Sequence, residues 1–188
     1  KKTTYISIQR SQELKEERTV NATDNVPEGL WMKCGNCGEA VYTEDVESNN
    51  HVCPKCGYNF RIGAWQRIEM VVDEGSFVEW DNELTTSNPL NFPGYVEKLK
   101  VLKEKTELSE AIITGEGTIH GQRTAIGVCD SRFLMGSMGE VVGEKIVRLV
   151  EAATVNELPV VIFCCSGGAR MQEGIVSLMQ MAKTSQAI

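Results

Sequence analysis

The stretch VVIFCCSGGAR, residues 160–170, decides the fold class. Its first six residues, Val160 to Cys165, form a short, wholly apolar run rich in β-branched side chains. Such a run predicts a strand covered on both faces and hence parallel to its neighbour. Ser166-Gly167-Gly168 predicts a tight turn, and Ala169–Ile188 then reads as helix. Upstream, Val142, Ile146, Leu149, Val150 and Ala153 recur at helical spacing over 141–155, and Glu157-Leu158-Pro159 ends that helix. Ala111–Ile119 and Thr124–Cys129 read as strands joined at His120-Gly121, a hairpin. Strand, helix, strand, tight turn and helix make an α/β layer pattern.

Two glycine-rich loops are the candidate binding elements. One is Met135-Gly136-Ser137-Met138-Gly139; the other is Ser166-Gly167-Gly168-Ala169-Arg170. The second follows the carboxyl end of a strand, where open α/β sheets place their ligands. Glycines there let a ligand approach the backbone, and free N–H groups at a helix start favour negative charge. An ordinary strand-to-helix turn with glycines placed for packing fits the same residues. Arg170 and Glu173, three apart on a helix, read as a solvated pair, as a pair fixing the loop, or as an arginine that meets a ligand phosphate. Ser166 lacks the flanks of a nucleophile elbow, and the only histidines are His51 and His120. The pattern points to oxyanion stabilisation by backbone N–H groups of Gly167 and Gly168, with no side-chain acid–base pair.

Nearer the amino terminus, Cys34, Cys37, Cys53 and Cys56 read C-x2-C, fifteen residues, C-x2-C. That spacing predicts two thiolate-bearing turns around one tetrahedral Zn²⁺. Four cysteine ligands leave no open position, so the metal is structural. Gly38 and Gly57 follow each pair, where the turn needs a positive φ.

The remaining sequence sets bounds. The 188 residues carry a formal charge of −7, and neither residues 1–70 (nine Lys/Arg, ten Asp/Glu) nor 71–188 (ten and sixteen) are basic. That argues against a dedicated nucleic-acid binder. Cys129, Cys164 and Cys165 lie outside the zinc set, and an odd thiol count suits a reducing compartment. No run approaches a membrane span. Residues 1–26 read as a flexible arm, 27–60 as the zinc ribbon, 61–110 as a helical linker region, and 111–188 as the start of the α/β domain. Within 61–110, a helix, a break at Gly75, Phe77–Trp80, and a surface helix over 95–107 with Tyr95, Leu99 and Leu102 on one stripe are expected.

The runs DSRFLMGSMG (130–139), SGGARMQEG (166–174) and SLMQMAKT (177–184), with the four-cysteine ribbon before them, closely resemble one family. It is the carboxyltransferase β subunit of bacterial and plastid-type acetyl-CoA carboxylase. The resemblance implies an incomplete ClpP/crotonase-like α/β domain behind a zinc ribbon. It implies transfer of a carboxyl group from carboxybiotin, on a biotin carboxyl carrier protein, to acetyl-CoA, giving malonyl-CoA for fatty-acid synthesis in the bacterial cytoplasm. The implied partners are a carboxyltransferase α subunit in an α2β2 assembly, the carrier protein and biotin carboxylase. Met135, Gly136, Ser137, Met138 and Gly139 would line the acyl-CoA pocket with Arg170, and Gly167 and Gly168 would supply an oxyanion donor. The family's further Gly-Gly element lies downstream of Ile188, so these 188 residues alone are expected to be inactive. The alternative is a zinc-ribbon nucleic-acid-binding or regulatory module using Lys33, Lys55, Arg61 and Arg67.

Overall fold

The computed structural model describes residues 29–188, and the arm expected at 1–26 lies outside them. One hairpin organises the sheet. Strands β4 (Ile112–Ile119) and β5 (Gln122–Cys129) pair antiparallel from Ile112↔Cys129 to Ile119↔Gln122, leaving a two-residue loop. His120 and Gly121 both take positive φ, 50° and 75°. That is the geometry of a type I′ turn, whose twist matches the flanking strands. Asp73 locks the turn by accepting the N–H groups of His120 (3.0 Å) and Gly121 (2.7 Å) and the Thr118 hydroxyl (2.6 Å). These bonds, led by Thr118, hold the Asp73 carboxyl below its usual range.

Helix α4 (Glu140–Val155) carries the chain over the sheet to β6 (Val160–Phe163), which lies parallel to β5 from Ala125↔Val160 to Val128↔Phe163. Strand β3 (Val78–Trp80) adds an antiparallel edge beside β4, so the sheet order is β3-β4-β5-β6. The parallel pairing expected of 160–165 is present. Full cover on both faces is not: β6 ends the described sheet, and Val160 is 39% exposed. Helix α4 is buried on most sides, because its apolar residues meet the sheet while Gly143 lets Gln180 of α5 (Ile175–Ala187) pack against its backbone.

Residues 61–110 are not a linker. Helix α2 (Ala64–Val71) buries Ala64 and Ile68, and α3 (Tyr95–Thr106) buries Tyr95 and Leu99. All four sit in one apolar core with Ile112, Ile113, Ile126, Val128, Phe133 and Val142. Other apolar residues of these helices, such as Val96 and Val101, are exposed, but the four buried ones lie in the core of the α/β domain, so the segment belongs to it.

Residues 31–60 carry their own small core of Cys34, Val41, Val46 and Cys53, with Met32 and Phe60 against it. Strands β1 (Trp31–Lys33) and β2 (Ala40–Tyr42) pair antiparallel, and Trp31 meets Tyr42 edge to face. A one-and-a-half-turn helix, α1 (Thr43–Ser48), closes the module around Val46. Among the described residues no helix is long and apolar enough to cross a membrane.

Candidate active site and zinc site

The carboxyl ends of β5 and β6 feed the two glycine-rich loops. After β5, Asp130 turns its buried carboxylate to the Ala64 N–H (2.7 Å), the Arg132 N–H (2.9 Å) and the Arg132 guanidinium (2.7 Å). Burial alone would raise the Asp130 carboxyl, but the Arg132 and backbone donors outweigh it and hold it below its usual range. Phe133 is fully buried, and the chain then makes a left-handed turn: Leu134, Met135 and Gly136 have φ of 45°, 58° and 68°. A left-handed residue other than glycine costs about 1–2 kcal/mol, and such strain persists only where the surroundings fix it.

What fixes it is the second loop. Met138 N–H donates to Gly168 O (2.8 Å) and Arg170 N–H donates to Met138 O (2.8 Å), so the two loops are zipped by backbone bonds. The approach is close enough that a Cβ on Gly136 would sit 2.4 Å from the Cys165 carbonyl oxygen. One on Gly167 would sit 3.0 Å from Met135 Cβ.

Arg170 is the side-chain counterpart of this zip. It is 2% exposed. Its guanidinium grips Glu110 with two bonds (2.7 and 3.0 Å) and donates to Tyr95 OH (3.1 Å), Glu173 (3.3 Å) and Ser137 O (3.1 Å). Glu173 accepts from Tyr95 OH (2.5 Å) and from the Glu140 N–H at the start of α4 (2.5 Å). The reading of Arg170 and Glu173 as a solvated pair is therefore corrected: Arg170 is buried with its donors engaged inside the protein, and it lines a 390 Å³ cavity beside Met135 and Gly167. Of the three readings, the pair that fixes the loop is the one the geometry realises. Burial would lower the Arg170 guanidinium, but its bonds to Glu110 outweigh burial and raise it; Tyr95 is raised by burial and by Glu173.

A second correction concerns the helix after the turn. It begins at Ile175, not Ala169. Ala169 is held in a parallel bridge to Met138, Met171–Glu173 forms a 3-10 turn, and Gly174 adopts φ 53°, ψ −128°. Gly167 and Gly168 thus stand several residues before the helix N-terminus, and the helix dipole does not act on them directly.

A cavity of 520 Å³ opens at these strand ends. Its wall includes Arg61, Arg67, Ser131, Met135, Phe163 and Gly167. A second, of 390 Å³, lies on the other side of Met135 and Gly167, toward Lys98, Leu102 and Met171. Met135 (71% exposed) and Gly167 border both, Ser137 lines the second, and Gly136 and Gly139 are buried and line neither. The Gly167 N–H has no partner among the described residues; the Gly168 N–H donates to Ser166 Oγ (3.0 Å). Cys129 also lines the first cavity, where burial pushes its thiol up to about 11, so at neutral pH it is a wall and not a thiolate nucleophile. Neither histidine lines either cavity.

The sequence reading missed Glu110 and Tyr95, which lie 60 and 75 residues from Arg170. It also missed Ser131 and Phe163, and it gave Arg61 and Arg67 only to the alternative nucleic-acid-binding reading. Only the Arg170–Glu173 spacing carried a local signal.

In the ribbon, the four cysteine sulfurs lie within 4.8 Å of one another. Cys34 and Cys56 are 3.7 Å apart and Cys37 and Cys53 4.0 Å. Four sulfurs at about 2.3 Å from a tetrahedral Zn²⁺ would be about 3.8 Å apart, so the residues fit the metal. The two knuckles repeat one bonding scheme. Cys34 N–H donates to Glu39 O and Gly38 N–H to Cys34 O; Cys53 N–H donates to Tyr58 O and Gly57 N–H to Cys53 O. Asn36 Nδ2 reaches Cys56 Sγ at 3.6 Å, a further donor to a ligand sulfur.

A family model described as the carboxyl transferase domain matches residues 61–188, and one described as the acetyl-CoA carboxylase zinc finger domain matches residues 31–56. The chain is 59% identical to the acetyl-coenzyme A carboxylase carboxyl transferase subunit beta of Desulforamulus reducens, over 89% of this chain and 58% of that protein. It is 52% identical to the protein of that name from Clostridium novyi, over 100% of this chain and 65% of that one. Among solved structures, transcarboxylase 12S superimposes with a TM-score of 0.57 at 30% identity, over 68% of this chain and 23% of that one. Sheet, loops and zinc knuckles thus define a crotonase-like carboxyl transferase domain with an amino-terminal zinc ribbon. The chain belongs to the carboxyl transferase family, and the relatives it resembles here carry the name acetyl-coenzyme A carboxylase carboxyl transferase subunit beta. It spans about three fifths of the length of those relatives.

Proposed function

We propose that this chain is the part of an acetyl-CoA carboxylase carboxyltransferase that binds the acyl thioester and steadies its enolate. The observation that carries the reading is the unpartnered Gly167 N–H beside a 520 Å³ cavity at the carboxyl ends of two parallel strands. A thioester must lose a methyl proton to accept a carboxyl group, and the negative charge then gathers on its carbonyl oxygen. A fixed N–H aimed at that oxygen stabilises the charge as it forms, and removing one such donor typically costs about 2.7–4 kcal/mol. The Met135 turn and the Arg170 clamp hold the Gly167 peptide in place before substrate arrives. Biotin, carried on a partner protein, would bring the carboxyl group, and its ureido nitrogen can take the methyl proton; this agrees with cavities that present no histidine. The partners in this reading are a carboxyltransferase α subunit in an α2β2 assembly, the biotin carboxyl carrier protein and biotin carboxylase. The zinc ribbon serves as a lid or subunit contact. Between residues 29 and 60 it carries two lysines against four Asp/Glu, which favours that role over nucleic-acid binding.

The test is malonyl-CoA-dependent carboxylation of biocytin by the full-length chain with its α partner. Gly167→Pro, which deletes the N–H, should lower kcat by 100-fold or more with intact zinc content. Unchanged kcat would refute the donor role of Gly167.

A further inference from the structure

Strand β3 ends the described sheet on the side opposite β6, and no backbone bond outside its pairing with β4 involves Val78, Glu79 or Trp80 among the described residues. Beside that open edge lies a cavity of 460 Å³, roofed by α2. Two glycines of β4 make room for its floor. A Cβ on Gly115 would lie 2.7 Å from the Phe77 ring, and one on Gly117 would lie 2.6 Å from Val72 Cγ1. Trp65 meets Phe77 edge to face, their ring centroids 5.9 Å apart, and with Ile68 and Val72 turns one helical face of α2 to the cavity. A second cavity, of 310 Å³, shares Trp65 and Glu79 with the first, so the two form one groove along β3. No lysine, arginine or histidine lines either. Glu69, Glu74 and Glu79 line the larger one and make no ion pair or side-chain hydrogen bond among the described residues, whereas Glu116 and Glu144 each hold an arginine. The buried Lys145 acts on Glu79 only through space, because its ammonium donates to Ser109 Oγ (3.2 Å) and Ile112 O (3.4 Å).

An open strand edge can take another strand by backbone hydrogen bonds, and a pocket beside it then selects the incoming side chain. Residues directly opposite on paired strands point to the same face. Glu79 lines the groove, so the residue set opposite it on an added strand enters the groove too. There it meets an aromatic pair, an aliphatic floor and carboxylates without counterions. That setting suits a long apolar stem ending in a cation: the stem packs on Trp65 and Phe77, and the head reaches Glu69 or Glu79. We infer that the β3 edge and this groove dock an extended, basic segment of a partner protein, which joins the sheet beside β3 and inserts one lysine or arginine under α2. Charge fixes the sign of the partner. The chain carries −7 and every charged residue lining the groove is acidic, so a segment of like charge is repelled. A second copy of the chain would bring its own acidic groove to the same edge, which opposes self-pairing. Since β3 has only three residues, its backbone bonds are few, and the side-chain anchor supplies the selectivity. The groove and the 520 Å³ cavity use different faces of α2, Trp65 lining one and Arg67 the other, so docking and carboxyl transfer can be measured separately.

The experiment uses the full-length chain and a fluorescein-labelled peptide of alternating valine and threonine with one central lysine, followed by fluorescence anisotropy. Control peptides carry glutamate or norleucine in place of the lysine. Two more keep the lysine and are N-methylated on one or the other set of alternate backbone amides. The lysine peptide should bind saturably, at least 10-fold more tightly than the glutamate and norleucine forms, and more weakly as salt rises. One of the two N-methylated peptides should lose binding, because an added strand bonds to β3 through alternate amides. Glu69→Gln/Glu79→Gln should weaken the lysine peptide at least 10-fold and leave the norleucine peptide within 2-fold, with biocytin carboxylation by the chain and its α partner unchanged. Circular dichroism checks that this variant is folded, and the peptide series tests the site without it. No saturable binding, or equal affinity for the lysine and glutamate peptides, overturns the docking site. Lysine-dependent binding that neither N-methylation disturbs means an ammonium enters the cavity without an added strand, and it overturns the proposal as well. Self-association of the chain that the lysine peptide competes away makes a second copy the occupant, with the same consequence.

Discussion

Replacing Arg170 by Met tests whether the two glycine loops are held by the buried ion cluster or merely lie beside it. The substitution roughly keeps the buried aliphatic length and removes the charge. Among the described residues it leaves Glu110 with the Ala111 N–H as its only other hydrogen-bond partner and Glu173 with Tyr95 OH and the Glu140 N–H. It also leaves Ser137 O without its donor. Two buried carboxylates then lose the cation that hydrogen-bonds to them, and breaking a buried pair in this way costs about 3–5 kcal/mol. With an m-value of about 2 kcal/mol/M in urea, the unfolding midpoint should fall by about 1.5–2.5 M. Trp65 and Trp80, both in the α/β domain, report the transition in the full-length chain by fluorescence. Arg170→Lys should lie between, since an ammonium restores charge but not the two-pronged grip on Glu110. The double variant Arg170→Met/Glu110→Gln should be less destabilised than the two single losses added together, because it removes one of the orphaned charges. A midpoint shift of Arg170→Met below about 0.5 M would refute the argument.

Chelation of the metal should unfold residues 31–60 alone, since their core is separate from that of the α/β domain; Trp31 fluorescence should change at one zinc released per chain while the Trp65/Trp80 urea transition stays put. Gly136→Ala puts a Cβ against the Cys165 carbonyl at φ 68° and should cost about 1–3 kcal/mol, read as a fall in Tm of about 3–10 °C; an unchanged Tm would mean the loops are not in contact. Asp130 has its folded pKa depressed by Arg132 and backbone donors acting against burial. Its unfolded pKa is about 3.9. Its contribution is therefore present above about pH 4 and is lost as pH falls through the lower folded value. Stability measured from pH 5 down to 2.5 should decline less steeply in Asp130→Asn than in the wild type, and parallel declines would contradict the assignment.

What could be read from the sequence followed the range of the interaction that produces each feature. The hairpin was legible because alternation and a two-residue turn are local, even though His120-Gly121 is not the commonest type I′ pair. Helix α4 was legible from its apolar spacing, and the cysteine knuckles from ligand spacing alone. Helix α1 was not: Val46 is its one buried residue, so no period exists to detect. The late start of α5 was not legible either. Residues 169–173 favour helix, but Ala169 is drawn into a bridge with Met138, and that pairing is decided thirty-one residues away.

The same reasoning explains why Arg170 was misplaced while its neighbourhood was read correctly. An arginine three residues before a glutamate on a polar-looking segment has the local signature of a surface pair. Its burial depends on Glu110 and Tyr95, which arrive from a segment read as linker. Under the proposed donor role the Gly167 N–H, which has no partner among the described residues, cannot stabilise its own loop, so the loop's rigidity has to come from outside it. In this fold it comes from a buried cation bonded to three other parts of the chain: Glu110, the Tyr95 end of α3, and the Met135–Gly139 loop through Ser137. On this argument, sequence change within the glycine loops is constrained twice, by the close approach at Gly136 and by the guanidinium beside Gly139, where an added Cβ would lie 2.8 Å from an Arg170 nitrogen. Substitutions at Glu110 or Tyr95, distant in sequence and outside both cavities, should therefore lower kcat together with stability.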